Sequence, residues 1–278
     1  CVVLYPVDAG WGFRSAAERY YRIFPEYFRR RDDQPGIWRP FADISTVKGW
    51  EDFGFRYHEG DNNVAFDDRA GILSFRYIEP GTWWMPMPPE MPRTRQAVLA
   101  ELRRNAADTK RSWRRRRAQA VLNAAFRDRR GRIAYKVRNA PWCNGVVFSV
   151  NMSPALPGQP NGATVHYSRQ IGDRLFAPGA RGQLDGIYID SIEGYVTADL
   201  DFDRDHIRYA ACPLVFDRQT RQVAIHKALS IYEFVRWVAD DVHARGKLMM
   251  GNGGTYRFTF LTSCLDVIGS ETNWLRDG

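Results

Sequence analysis

Two kinds of apolar pattern alternate along this chain. Short, largely apolar runs, such as Gly71-Ile-Leu-Ser-Phe-Arg-Tyr-Ile78, Leu184-Asp-Gly-Ile-Tyr-Ile189, Lys247-Leu-Met-Met250 and Leu265-Asp-Val-Ile268, stand between longer stretches with helical spacing. A strand buried on both faces shows such runs in place of strict alternation, as in a parallel sheet covered by helices. The best helical stripe is Ala228, Ile231, Tyr232, Val235, Val238 and Val242, with Arg245-Gly246 as its stop. Strand, loop, helix and strand recur with spacings long enough for crossovers, which predicts an α/β fold with parallel strands.

Earlier parts of the chain extend the pattern. Val2–Val7 reads as a short strand, followed by a turn at Gly10-Trp11-Gly12 and a helix. Ser15, three residues before Glu18, has the form of a capping box, with Ala16, Tyr20, Phe24 and Phe28 behind it. Gly36–Ala42 is a strand candidate ending in Asp43. A helix-rich region over 93–127 precedes strand candidates at Ile133–Val137 and Val146–Val150 and a Gly/Pro/Asn-rich loop at 152–163.

Polar side chains collect at the C-terminal ends of these strands: Asp43, Glu79, Asp190, Glu193, Asn252 and Glu271. That end is the active face of a (β/α)8 TIM barrel. An open doubly wound sheet also binds ligands there, but no glycine-rich phosphate loop follows any strand, so the barrel is the expected fold. Two carboxylates on one rim suit glycosidic bond cleavage, one attacking the anomeric carbon and the other protonating the leaving oxygen. Asp190, a short side chain on a rigid strand end, is the nucleophile expected. Glu271, with a longer arm and Trp274 nearby, is the acid/base expected. Glu193, Asn252, Trp83, Trp84, Glu79, His58, Asp43 and Trp274 are the substrate-binding candidates by position. Tyr57 and His58 fall in the loop before the 71–78 strand. Asp185, at the opposite end of its strand, is assigned to structure.

The segment Asp185-Gly-Ile-Tyr-Ile-Asp190-Ser-Ile-Glu-Gly resembles the strand that carries the nucleophile in TIM-barrel glycoside hydrolases, in particular the retaining α-glycosidases related to α-galactosidases. The resemblance implies an Asp nucleophile closing the fourth barrel strand and an acid/base closing the sixth. Counting 36–42 as strand one, 71–78 as two, 133–150 as holding three, 184–189 as four, 247–250 as five and 265–268 as six places Asp190 and Glu271 on those two ends. A Glu acid/base is closer to the α-N-acetylgalactosaminidase-like barrels. Strands seven and eight then lie beyond residue 278, and residues 1–30 read as a connector from a preceding domain.

Composition adjusts the picture in three places. Nine Trp within 14% aromatics suit sugar stacking. The net charge of +8 belongs to one segment: Arg93–Arg138 holds sixteen Arg and Lys against three acids, so the remainder is net acidic. That segment has helical apolar spacing around Arg114–Arg117, and a solvated helix face accounts for it without nucleic acid. No apolar stretch reaches the roughly 18–20 residues of a membrane span. Four widely spaced Cys carry no zinc pattern, the histidines no HExxH, and no GxSxG is present. Asp199, Asp201, Asp203 and Asp205 imitate the start of a calcium loop but lack its Gly and Glu. No metal or cofactor is expected; the partner expected is a carbohydrate substrate. The alternatives are a barrel that binds glycan without cleaving it, and an anionic-polymer binder built on 93–138. The compartment is left open, a secreted or periplasmic location being the one favoured.

Overall fold

The computed structural model describes residues 2–28, 31–179, 182–193, 199–253 and 257–270. In chain order, α1 (Phe13–Ile23) precedes β1 (Ile37–Pro40), β2 (Phe55–Glu59), α2 (Val64–Ala70), β3 (Leu73–Ile78) and β4 (Thr82–Pro86). Helices α3 (Arg95–Ala107) and α4 (Ser112–Ala124) lead to β5 (Lys136–Ala140), β6 (Cys143–Ser149) and α5 (Arg169–Leu175). Then come β7 (Gly186–Ile189), β8 (Leu200–Asp201), α6 (Arg204–Ile207), β9 (Val215–Phe216) and β10 (Val223–His226). The chain continues through α7 (Lys227–Ala244), β11 (Leu248–Asn252), a 3-10 turn at Thr259–Cys264 and β12 (Val267–Gly269).

Six strands form one parallel sheet in the order β1-β2-β3-β7-β11-β12. All six contribute to an inner cluster of Trp38, Tyr57, Phe75, Tyr188, Met250 and Val267, with Leu73, Tyr77 and Leu248 packed against it. A methyl group built on Gly269 in β12 would lie 3.0 Å from the Trp38 ring in β1. The two ends of the sheet therefore approach each other, and the sheet curls into a nearly closed, barrel-like form. Gly186 is required where β7 crosses this interior, since a Cβ there would sit 2.1 Å from the Leu248 carbonyl oxygen and 2.7 Å from the Phe75 ring. On the outside, α7 buries Ile231, Phe234, Val235, Val238, Ala239 and Val242 against Ile187, Ile189 and Met249. Burial on that scale, at about 2 kcal/mol per large side chain, holds the helix to the sheet.

The chain between β3 and β7 leaves the barrel-like sheet. Strands β4, β6 and β5 form a separate antiparallel sheet, and α3 and α4 cover one of its faces with Val98, Leu102, Ala118, Val121 and Ala124. A third sheet, β8-β10-β9, lies before α7. Among the described residues no helix is long and apolar enough to cross a membrane.

Four sequence expectations are corrected here. The second parallel strand is Phe55–Glu59, so Tyr57 and His58 belong to a strand and not to a loop, and 71–78 supplies the third strand. The segment is hidden because its outward positions are Arg56 and His58, and the histidine is fully buried through its bond to Asp67. The strands near 133–150 are antiparallel and belong to the insertion, so the two errors offset and 186–189 remains fourth. Finally, Val2–Val7 is not a strand. Ser15 sits inside α1, with Gly12 as the N-cap, and accepts a bond from the Asp8 amide.

Candidate functional site at the barrel mouth

Side chains alternate along a strand, and paired residues share a face. Tyr77, Tyr188, Met250 and Val267 are in register across β3, β7, β11 and β12, and Tyr188, Met250 and Val267 point inward with Tyr77 packed on them. The positions two residues further on are Glu79, Asp190, Asn252 and Gly269. Parity therefore places two carboxylates and an amide in the next inward layer, at the C-terminal ends of the strands. Glu59, at the end of β2, is buried on the inward side as well.

Asp190 is the most closely held. One carboxylate oxygen accepts from the Tyr77 hydroxyl at 2.9 Å, the other from the Asn252 amide at 3.0 Å. Its own amide donates to Ile78, and the Ile192 amide donates to Asn252. Ser191, immediately after it, has φ 50°, and Phe41, whose ring packs 5.6 Å from Tyr77, has φ 56°. Backbone strain of this kind costs about 1–3 kcal/mol per residue and gathers where a site needs a fixed geometry. Of the three such non-glycine residues among those described, Ser191 follows Asp190 directly, Phe41 packs on the ring whose hydroxyl holds it, and Arg221 lies elsewhere.

Glu79 has a different environment. Burial pushes its carboxyl above the ordinary carboxylate range, the Trp84 indole N–H (3.1 Å) works against that shift, and the Asp190 charge reinforces it. Two cations stand near it. Lys227, fully buried at the start of α7, donates to Thr82 Oγ1 at 2.9 Å and Ser149 Oγ at 3.2 Å, and burial pulls it down to about 7. Arg117 of α4 bonds His166 Nε2 at 2.7 Å, and burial lowers it to about 10 against the charges of Glu79 and Tyr77. Burial and Arg117 together hold His166 well below its usual value, so the imidazole is neutral and accepts.

The antiparallel insertion walls this mouth. Thr82 pairs with Ser149, Trp84 with Val147 and Lys136 with Val147, so these five project from one face, while Trp83, Met85 and Phe148 point into the helices. Trp84 meets the 68%-exposed Trp142 edge-to-face at 5.4 Å, which presents an aromatic corner next to Glu79.

Of the residues singled out in the sequence, Asp190, Asn252, Glu79 and Trp84 therefore converge. Four others do not join them. Trp83 is core, stacked on Phe148. His58 bonds Asp67 at 2.6 Å within the β2–α2–β3 layer. Glu193 accepts from the backbone amides of Arg257 and Phe258. Asp43 folds its own loop through Ser45 and Asn63. Glu271 and Trp274 lie outside the described residues. Tyr77, Arg117, Lys227, Trp142 and Glu59 were not singled out. Strand parity identifies Tyr77 and, once β2 is recognised, Glu59. Arg117 was concealed in the basic run and Lys227 at a helix start.

The aspartate-rich loop is also accounted for by protein contacts. Asp201 is fully buried and accepts from Asn151 and the Arg127 amide, while Asp203 pairs with Arg127 at 2.7 Å. Among the described residues no group of three or more His, Cys, Asp or Glu is placed to hold a metal. Comparison with known proteins finds no matching family model, no matching curated sequence and no matching solved structure, so the geometry of this mouth carries the functional argument alone.

Proposed function

We propose that this chain is a glycoside hydrolase that works with retention on a (β/α)8 barrel scaffold, with Asp190 as the nucleophile. The observation that carries the reading is the position of Asp190. It sits inward at the end of the fourth parallel strand, with both oxygens oriented by Tyr77 and Asn252 and a second carboxylate, Glu79, in the same layer. A carboxylate aimed in this way can attack an anomeric carbon while a protonated partner donates to the leaving oxygen. Trp84 and Trp142 supply flat apolar faces for the pyranose ring. The arrangement agrees with the resemblance of the 185–194 segment to retaining α-glycosidases. Two glutamates compete for the role of proton donor: Glu271, which follows β12 in sequence, and Glu79, which burial favours in its protonated form.

Aryl α- and β-glycosides, with product stereochemistry followed by NMR, test the reaction; a retained anomer from one series is expected, and no cleavage of any glycoside overturns the reading. The pH profile then separates the donors. A general acid must be protonated, so kcat/KM falls as pH rises through its pKa. If Glu79 is the donor, Trp84→Phe removes a bond that lowers its pKa and moves the alkaline limb upward, and Glu79→Gln abolishes the limb. A limb unchanged in both variants assigns the role to Glu271.

A further inference from the structure

A cavity of about 640 Å³ opens between the insertion sheet and the β8-β10-β9 sheet. Its volume is within the range of about 300–1,000 Å³ typical of small-ligand sites. One wall is the sheet face that carries Trp84, continued here by Lys136, Val147 and Ser149. The turn at 127–133 forms the rim with Arg129, Arg130 and Arg132, and Tyr135 and Phe202 supply ring surface.

The charges on this rim do not cancel. Arg132 is matched by Asp128 at 2.8 Å, Arg129 by Asp217 at 2.7 Å, and Lys136 by Asp199. Arg130 is exposed and lines the same cavity; its amide donates to Asp128, but among the described residues its guanidinium meets no carboxylate. The floor is joined to the barrel mouth through hydrogen bonds: Lys136 to Asp199, Ser149 to Asp199, and Lys227 to Ser149 and Thr82. The cavity thus lies along the same wall as the proposed reaction centre and extends it outward.

We propose that this cavity is a distal subsite for an acidic sugar unit, a uronate whose carboxylate pairs with Arg130 and whose ring lies against Tyr135 and Phe202. The proposal rests on reading the mouth as a glycan site; it adds that the glycan is charged and long enough to reach the insertion. Isothermal titration of the chain with a uronic-acid oligosaccharide and with the neutral oligosaccharide of the same length and linkage tests it. The acidic oligomer is expected to bind about two- to fivefold more tightly, the range of an exposed ion pair. Arg130→Ala, at an exposed position, erases that preference, Arg130→Lys restores part of it, and added salt weakens it. Equal binding of the two oligomers, or a preference that survives Arg130→Ala, overturns the proposal. The hydrolase reading stands or falls separately: a chain that cleaves neutral glycosides but shows no preference for uronate loses only the subsite. A chain that binds uronate through Arg130 but cleaves nothing loses only the reaction.

Discussion

Asp190→Asn is expected to lower turnover at least about a thousandfold, because the substitution removes the charge of the proposed attacking oxygen while keeping its shape. The fold is expected to survive. An asparagine at 190 can still accept from the Tyr77 hydroxyl, but it then turns an amide N–H toward the Asn252 donor. Losing one neutral bond of this kind costs about 1 kcal/mol. The two effects separate cleanly by measuring rate on any cleaved glycoside alongside a denaturant midpoint. A near-normal rate in a folded Asp190→Asn chain removes the nucleophile and, with it, the two-carboxylate scheme. A large rate loss accompanied by unfolding is distinguished by Tyr77→Phe, which deletes one bond to the carboxylate and keeps both the carboxylate and the ring.

Asp201→Ala carries the largest expected effect on stability. The carboxylate is fully buried and joins three parts of the chain: the Arg127 amide at 3.0 Å, the Asn151 amide group at 3.2 Å and His206 Nδ1 at 2.6 Å. Removing one partner of a buried pair typically costs about 3–5 kcal/mol, since the others remain buried without it. Urea unfolding measures this directly, and a loss below about 1 kcal/mol shows that the contacts do not hold the loop. The pH dependence adds a signature. Burial pulls His206 down, but its bond to Asp201 and the charges of Asp201 and Asp203 outweigh that, so the folded value is raised. A raised histidine stabilises the fold fully below about pH 6.5, its unfolded value, and the contribution fades as pH climbs through the folded value. The wild type should therefore lose stability on that rise, and Asp201→Ala should lose the slope.

Local pattern and tertiary context divided this protein unevenly. Short apolar runs at 71–78, 184–189, 247–250 and 265–268 were legible as buried parallel strands, because burial on both faces leaves a compositional mark that needs no knowledge of neighbours. The stripe of α7 and its stop at Gly246 were legible for the same reason. Asp190, Glu79 and Asn252 could be nominated because a strand's end and its parity are properties of the sequence. What the chain alone did not disclose was partnership. Phe55–Glu59 carries only Phe55 and Tyr57 as apolar marks, and its buried histidine is satisfied by Asp67, nine residues away. The strands near 133–150 read like any others until pairing showed them antiparallel to β4 and outside the main sheet. Trp83 and Trp84 are adjacent in sequence, yet opposite faces of one strand send the first into the helices and the second to Glu79. Arg117, half-buried and bonded to His166, reads in the sequence as one more cation in a solvated run. A residue's propensity and periodicity are written in its neighbours along the chain. Which side chain meets which across the mouth depends on register and packing among segments a hundred residues apart, and only the folded molecule decides that.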